Sequence, residues 1–223
     1  MRRSTRSRLL FLGGFSLYFG SLWLLWETPV VYPLKVFVVL LHEISHGIAA
    51  VATGGSIQGI TLSPGLGGAC YCPGGNAFVT LSAGYLGSLA WGAVLLELAR
   101  RPGGGVNRIT RVMGVVIMAL TVLYVRGTFG LLFGVAFGAA LVFAGSRLSV
   151  RVNRTFLTAL GLTSCLYAIL DIKGDVLDRP QLPSDAHMLA ELTGVPTQAW
   201  GGLWISVALV ASGWLFLRAY RAA

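Results

Sequence analysis

His42, Glu43 and His46 lie in the run Val36-Phe-Val-Val-Leu-Leu-His-Glu-Ile-Ser-His-Gly-Ile-Ala-Ala-Val-Ala52. On a helix, two histidines four residues apart project from one face a turn apart, so both imidazoles reach one metal ion, and the intervening glutamate stands one residue's rotation away. That pattern, His-Glu-x-x-His, is the one metallopeptidases use. Two nitrogens hold zinc, and the carboxylate takes a proton from the attacking water and passes it to the leaving amine. The residues could instead satisfy one another or line a polar channel. However, ionisable groups inside an apolar helix are expensive and usually functional, and the chain has only three histidines, two of them here.

A catalytic zinc takes three protein ligands and keeps one position open. No third histidine follows at the spacing of soluble metzincins, so the remaining ligand is expected to be a carboxylate. Acidic residues number only eight, and five of them lie in Leu170-Asp-Ile-Lys-Gly-Asp-Val-Leu-Asp-Arg-Pro-Gln-Leu-Pro-Ser-Asp-Ala-His-Met-Leu-Ala-Glu-Leu192. Asp171 ends an apolar run, where a carboxylate needs a partner. Asp185 opens a short helix after Pro183, where it could equally be an N-cap. One of these two aspartates is expected to be the third ligand. Asp175 and Asp178, beside Lys173 and Arg179, read as a solvated helix end, and His187 as an exposed or interfacial histidine.

The elements that position these groups are apolar and long. A membrane core of about 30 Å takes about 20 apolar residues in a helix, and runs of that size lie near 9–26, 30–52, 76–98, 108–125, 128–145, 155–171 and 198–219. The chain of 223 residues, with 55% hydrophobic and 11% charged residues and a mean hydropathy of +0.75, is therefore expected to be one all-α polytopic membrane domain with six to seven transmembrane helices. Between the second and third runs, Gly54-Gly-Ser-Ile-Gln-Gly-Ile-Thr-Leu-Ser-Pro-Gly-Leu-Gly-Gly-Ala-Cys-Tyr-Cys-Pro-Gly-Gly-Asn76 is too rich in glycine and proline for a helix. Ile57, Ile60 and Leu62 suggest a short strand, a turn at Pro64-Gly65 and a return, so 56–75 reads as a re-entrant or β-like segment. Such backbone survives at a membrane only where protein buries it or a wet cavity borders it. Residues 172–197 read as an acidic loop with a short helix. The glycines within the runs, Gly84, Gly87 and Gly92 or Gly130, Gly134 and Gly138, read as close helix packing.

The net charge of +9 does not point to nucleic acid. The arginines sit at the ends of apolar runs without interleaved aromatics, as membrane-flanking residues do. With seven crossings, Arg100, Arg101, Arg108, Arg111, Arg147, Arg151, Arg154, Arg218 and Arg221 share one side. The N-terminal Arg2, Arg3, Arg6 and Arg8 lie on the other. Three cysteines make no closed disulfide framework, and Cys70-Tyr-Cys72 reads as small residues in a tight loop. The first run lacks a small-x-small cleavage site and is expected to be a retained helix.

His-Glu-Ile-Ser-His-Gly within an apolar helix, followed by a glycine-rich extended segment, resembles the site-2 protease family of intramembrane zinc metallopeptidases. Ser82-Ala-Gly-Tyr-Leu-Gly-Ser88, Leu166-Tyr-Ala-Ile-Leu-Asp171 and Pro183-Ser-Asp-Ala186 are similar to its small B-type branch, found in bacteria and plants. The resemblance covers roughly residues 36–215. It implies His42 and His46 as ligands of Zn2+, Glu43 as catalytic base, and a core of membrane helices that admits water. The family's aspartate ligand commonly sits in an Asn-Pro-x-x-Asp-Gly type of motif; Leu182-Pro-Ser-Asp185 echoes it in part and Asp171 is the alternative. The expected activity is hydrolysis of membrane-embedded or juxtamembrane peptide substrates, in a bacterial cell membrane. The rival expectation is a membrane protein that binds or carries a divalent metal without proteolysis.

Overall fold

The computed structural model describes residues 2–101, 105–178 and 183–222. In chain order it contains α1 (Arg2–Leu24), α2 (Tyr32–Ala52), β1 (Gly59–Leu62), β2 (Gly68–Tyr71), α3 (Ala77–Ala99), α4 (Gly105–Tyr124), β3 (Val125–Arg126), α5 (Thr128–Arg147), α6 (Val150–Lys173) with a π-helical turn over Gly174–Asp178, α7 (Asp185–Thr193) and α8 (Thr197–Ala222). Among the described residues six helices, α2 to α6 and α8, are long and apolar enough to cross a membrane.

The expected seventh crossing is not among them. Its run does form a helix, α1, which lies antiparallel to α8: Phe11 and Phe15 pack on Phe216, and the Arg8 guanidinium sits 5.3 Å from the centre of the Tyr220 ring. Arg8 therefore lies at the same end of the molecule as Tyr220.

Local chemistry sets the helix ends. Pro33 sits in the first turn of α2, and its missing N–H leaves no helical bond unmade there. Asn76 accepts from the Val79 N–H to start α3, and Ser149 does the same for Val152 in α6. α7 stops at Gly194, whose φ of 73° is in the left-handed region that glycine adopts without penalty.

α2 is the central helix, largely apolar outside the face that carries Lys35, His42 and His46, and buried from Lys35 to Ala50 with few exceptions. Glycine contacts draw its neighbours together. A Cβ on Gly114 of α4 would lie 2.5 Å from the Gly138 carbonyl of α5, and one on Gly92 of α3 would lie 2.9 Å from the Gly161 carbonyl of α6. Without a hydrophobic driving force between helices in lipid, such backbone contact is a main source of their cohesion.

The glycine-rich segment is a β-hairpin, as expected, turning between Leu62 and Gly68. It belongs to a three-stranded sheet of order β2-β1-β3, with Ile60 opposite Cys70 in the antiparallel pair and opposite Val125 in the parallel one. β3 had no sequence signal, because two residues at the end of an apolar run carry no periodicity. The hairpin is fastened at both ends. Tyr32 Oη donates to the Pro64 carbonyl at its tip, and the N–H groups of Ser56 and Gln58 donate to Pro73 and Tyr71 at its base. Among the described residues no strand pairs with the second edge of β2. Cys70 and Cys72, expected as small loop residues, are joined as a disulfide; residues i and i+2 of extended chain share a face, and their Cα atoms stand 5.5 Å apart.

The segment 172–197 is more helical than expected. α6 runs on through the π-helical turn to Asp178 before α7 begins.

Candidate metal centre

α2 delivers His42 and His46 on one face, as their spacing requires, with ring centroids 4.8 Å apart. α7 brings Asp185 against them from 139 residues beyond His46. Its Oδ2 lies 3.1 Å from His42 Nε2 and 3.2 Å from His46 Nε2. One ligand atom from each of His42, His46 and Asp185 falls within 4.8 Å of the others, an arrangement able to hold a metal ion.

Asp185 is free to turn inward because it does not cap its helix. Ser184 does, accepting the His187 N–H on its Oγ. Burial opposes charge on Asp185, but the facing imidazoles, His46 foremost, hold its carboxyl below the usual carboxylate range. Its Oδ2 is thus within reach of both Nε2 atoms at once. The three atoms lie close enough together to share one ion. Two imidazoles and one carboxylate, with room for a fourth group, are the donor set of a catalytic metal site and not of a closed structural one.

The outer nitrogens are held differently. His46 Nδ1 lies 2.7 Å from the Thr80 carbonyl of α3, to which it donates, so the tautomer leaves Nε2 free for the site. His42 Nδ1 faces Asp171 of α6, whose Oδ2 is 3.7 Å away, on the side opposite Asp185. The two candidate aspartates thus face different nitrogens of one ring. Asp175, expected in a solvated helix end, accepts from Tyr85 Oη at 2.8 Å, and the Tyr85 ring meets His42 edge-on. Asp178 pairs with Lys173 as a surface residue, and His187 lies 3.6 Å from Glu191, away from the cluster.

Glu43 is 5% exposed. The backbone N–H of Cys70 is turned toward its carboxylate, and Gly68 of β2 lies so near that a Cβ there would be 2.5 Å from Glu43 Oε1. The hairpin therefore forms one wall of the site, and its glycine makes room for the glutamate. Residues of α2, the hairpin, α3, α6 and α7 together enclose a cavity of about 1010 Å³, which reaches from Trp26 and Lys35 past His42, Glu43 and His46 to Asp185.

Two contributors escaped the sequence reading. Gly84 was read as helix packing, but a Cβ on it would fall on Asp185 Oδ2 and His42 Nε2. Gly84→Ala is accordingly expected to push the two apart and lower metal content and activity at least about tenfold while the helices remain assembled. Metal analysis of the purified variant beside its circular dichroism checks this; a fully metallated Gly84→Ala would refute it. Lys35 is the other, hidden among basic residues read as membrane-flanking.

Helices able to cross a membrane, with three side chains able to hold a metal ion beside a glutamate at the wall of a large cavity, fit the frame of a membrane metallopeptidase. The chain belongs to the Peptidase M50B-like family, whose model matches residues 16–215. That is the B-type branch of the site-2 proteases, as the motifs suggested. No curated protein and no solved structure matches the chain significantly.

Proposed function

We propose that the protein is a zinc endopeptidase that hydrolyses a peptide bond of a membrane-embedded or juxtamembrane substrate, with His42, His46 and Asp185 as ligands and Glu43 as general base. The observation that supports this reading is that one donor atom from each of His42, His46 and Asp185 lies within 4.8 Å of the others, with Glu43 at their side.

Bound there, zinc would polarise the scissile carbonyl and acidify water. The chain's own residues do the rest. Glu43 accepts the proton that the attacking water gives up and returns it to the amide nitrogen as the C–N bond breaks. Thr80 keeps His46 in the tautomer the site needs, and Asp171 orients His42 from its far side. The unpaired edge of β2 borders the cavity and offers backbone donors and acceptors to an extended substrate strand. Strand addition unwinds the substrate locally and exposes its backbone to Glu43.

The test is cleavage of membrane-tethered peptides by the purified chain, before and after removal of metal with a chelator. Cleavage that disappears on chelation and returns with stoichiometric zinc supports the reading. A metal-loaded chain that cuts no peptide in a broad panel refutes it, and leaves metal binding or carriage as the function.

A further inference from the structure

The face of α2 that carries His42 and His46 continues toward its start through Val39 to Lys35, at spacings of three and four residues, and all of these line the same cavity. Lys35 is one of two lysines in the chain and is 4% exposed. Two effects oppose a cation at this position. Burial removes its hydration, and the first turn of a helix carries the positive end of the macrodipole. It is also too enclosed to reach water, as a membrane-flanking lysine would.

Among the described residues little offsets this. The Trp26 ring lies 5.0 Å from Nζ. Glu27 Oε2 lies at 3.7 Å, beyond hydrogen-bond length, on a side chain that is 87% exposed. Glu27 thus stands near Lys35 without being committed to it. A buried ammonium facing a substrate-sized cavity, with only a loose carboxylate beside it, is a receptor for another carboxylate.

We propose that Lys35 binds an acidic side chain of the substrate, displacing Glu27, and so selects where the chain is cut. The inference rests on the peptidase reading above. Lys35 precedes His42 and Glu43 by seven and eight residues, roughly 11 Å along the helix. An extended peptide covers that distance in three to four residues. The recognised residue is therefore a Glu or Asp three to four positions from the cut bond.

The experiment is a position scan with the full chain in detergent micelles. One cleavable membrane-tethered peptide carries a single Glu moved through five positions on either side of the cut bond, each with a Gln control. At one position three or four residues away, Glu is expected to raise kcat/KM about tenfold over Gln, chiefly through KM. In Lys35→Gln the Glu-to-Gln ratio at that position falls to about one, and in Glu27→Gln it rises. Metal content verifies that each variant keeps its site. If Lys35→Gln loses its metal, the wild-type scan and Glu27→Gln decide.

A flat scan in the wild type overturns the proposal and leaves the peptidase reading standing. So does a preference that survives in Lys35→Gln. A metal-loaded wild type that cuts none of the peptides overturns both.

Discussion

Glu43→Gln is expected to keep its metal and lose its activity. The glutamate lies beside the cluster of His42, His46 and Asp185 but is not part of it, so an amide of the same shape leaves the three donors untouched. What disappears is the group that carries a proton from water to the leaving nitrogen. General acid–base catalysis of this kind is worth about 10² to 10⁴ in rate, and kcat on a membrane-tethered peptide should fall by that factor. Metal analysis should still return about one ion per chain. A metal carrier has no use for Glu43, so unchanged metal transport in this variant, in a chain that never cleaves, would favour carriage over proteolysis.

The second large effect separates the two aspartates. Asp185→Ala removes one of three donor atoms and leaves two imidazoles, so metal should be lost from the purified protein, with affinity reduced by more than about 100-fold. Asp171→Asn is expected to do less. Its carboxylate faces His42 from the Nδ1 side, 3.7 Å away, where partners of a ligating histidine typically contribute about 10- to 100-fold. Asp171→Asn should therefore retain metal at high concentration and show weakened affinity on titration with a competing chelator. The reverse order of effects would make Asp171 the ligand and refute the assignment of Asp185.

The local half of this centre was legible in the sequence. Spacing alone puts His42, Glu43 and His46 on a helix, because the helical period holds over four residues whatever surrounds it. The apolar runs and the glycine-rich hairpin were legible for the same reason. The distant half was not. Nothing in the chain between His46 and Asp185 records that α7 returns to α2, so Asp171 and Asp185 stayed equivalent until the fold separated them. Gly84 was misread because a glycine that lets helices touch and one that makes room for an imidazole look alike in sequence. Lys35 was lost in a strong average: most basic residues here do flank apolar runs. Of the seven apolar runs, six form helices long and apolar enough to cross a membrane, within the expected six to seven, and the first run, α1, is not among them.

The fastening of the hairpin has a consequence for the thermodynamics of binding. Tyr32 ties its tip to the start of α2, and Ser56 and Gln58 tie its base to Pro73 and Tyr71, so β2 is ordered before anything meets it. Ordering backbone costs about 1–2 kcal/mol per residue. For a chain added to this edge, that cost falls on the incoming segment alone. An intact helix must in addition give up its own backbone hydrogen bonds before it can join the edge, so the rigid edge discriminates among chains by how readily each unwinds.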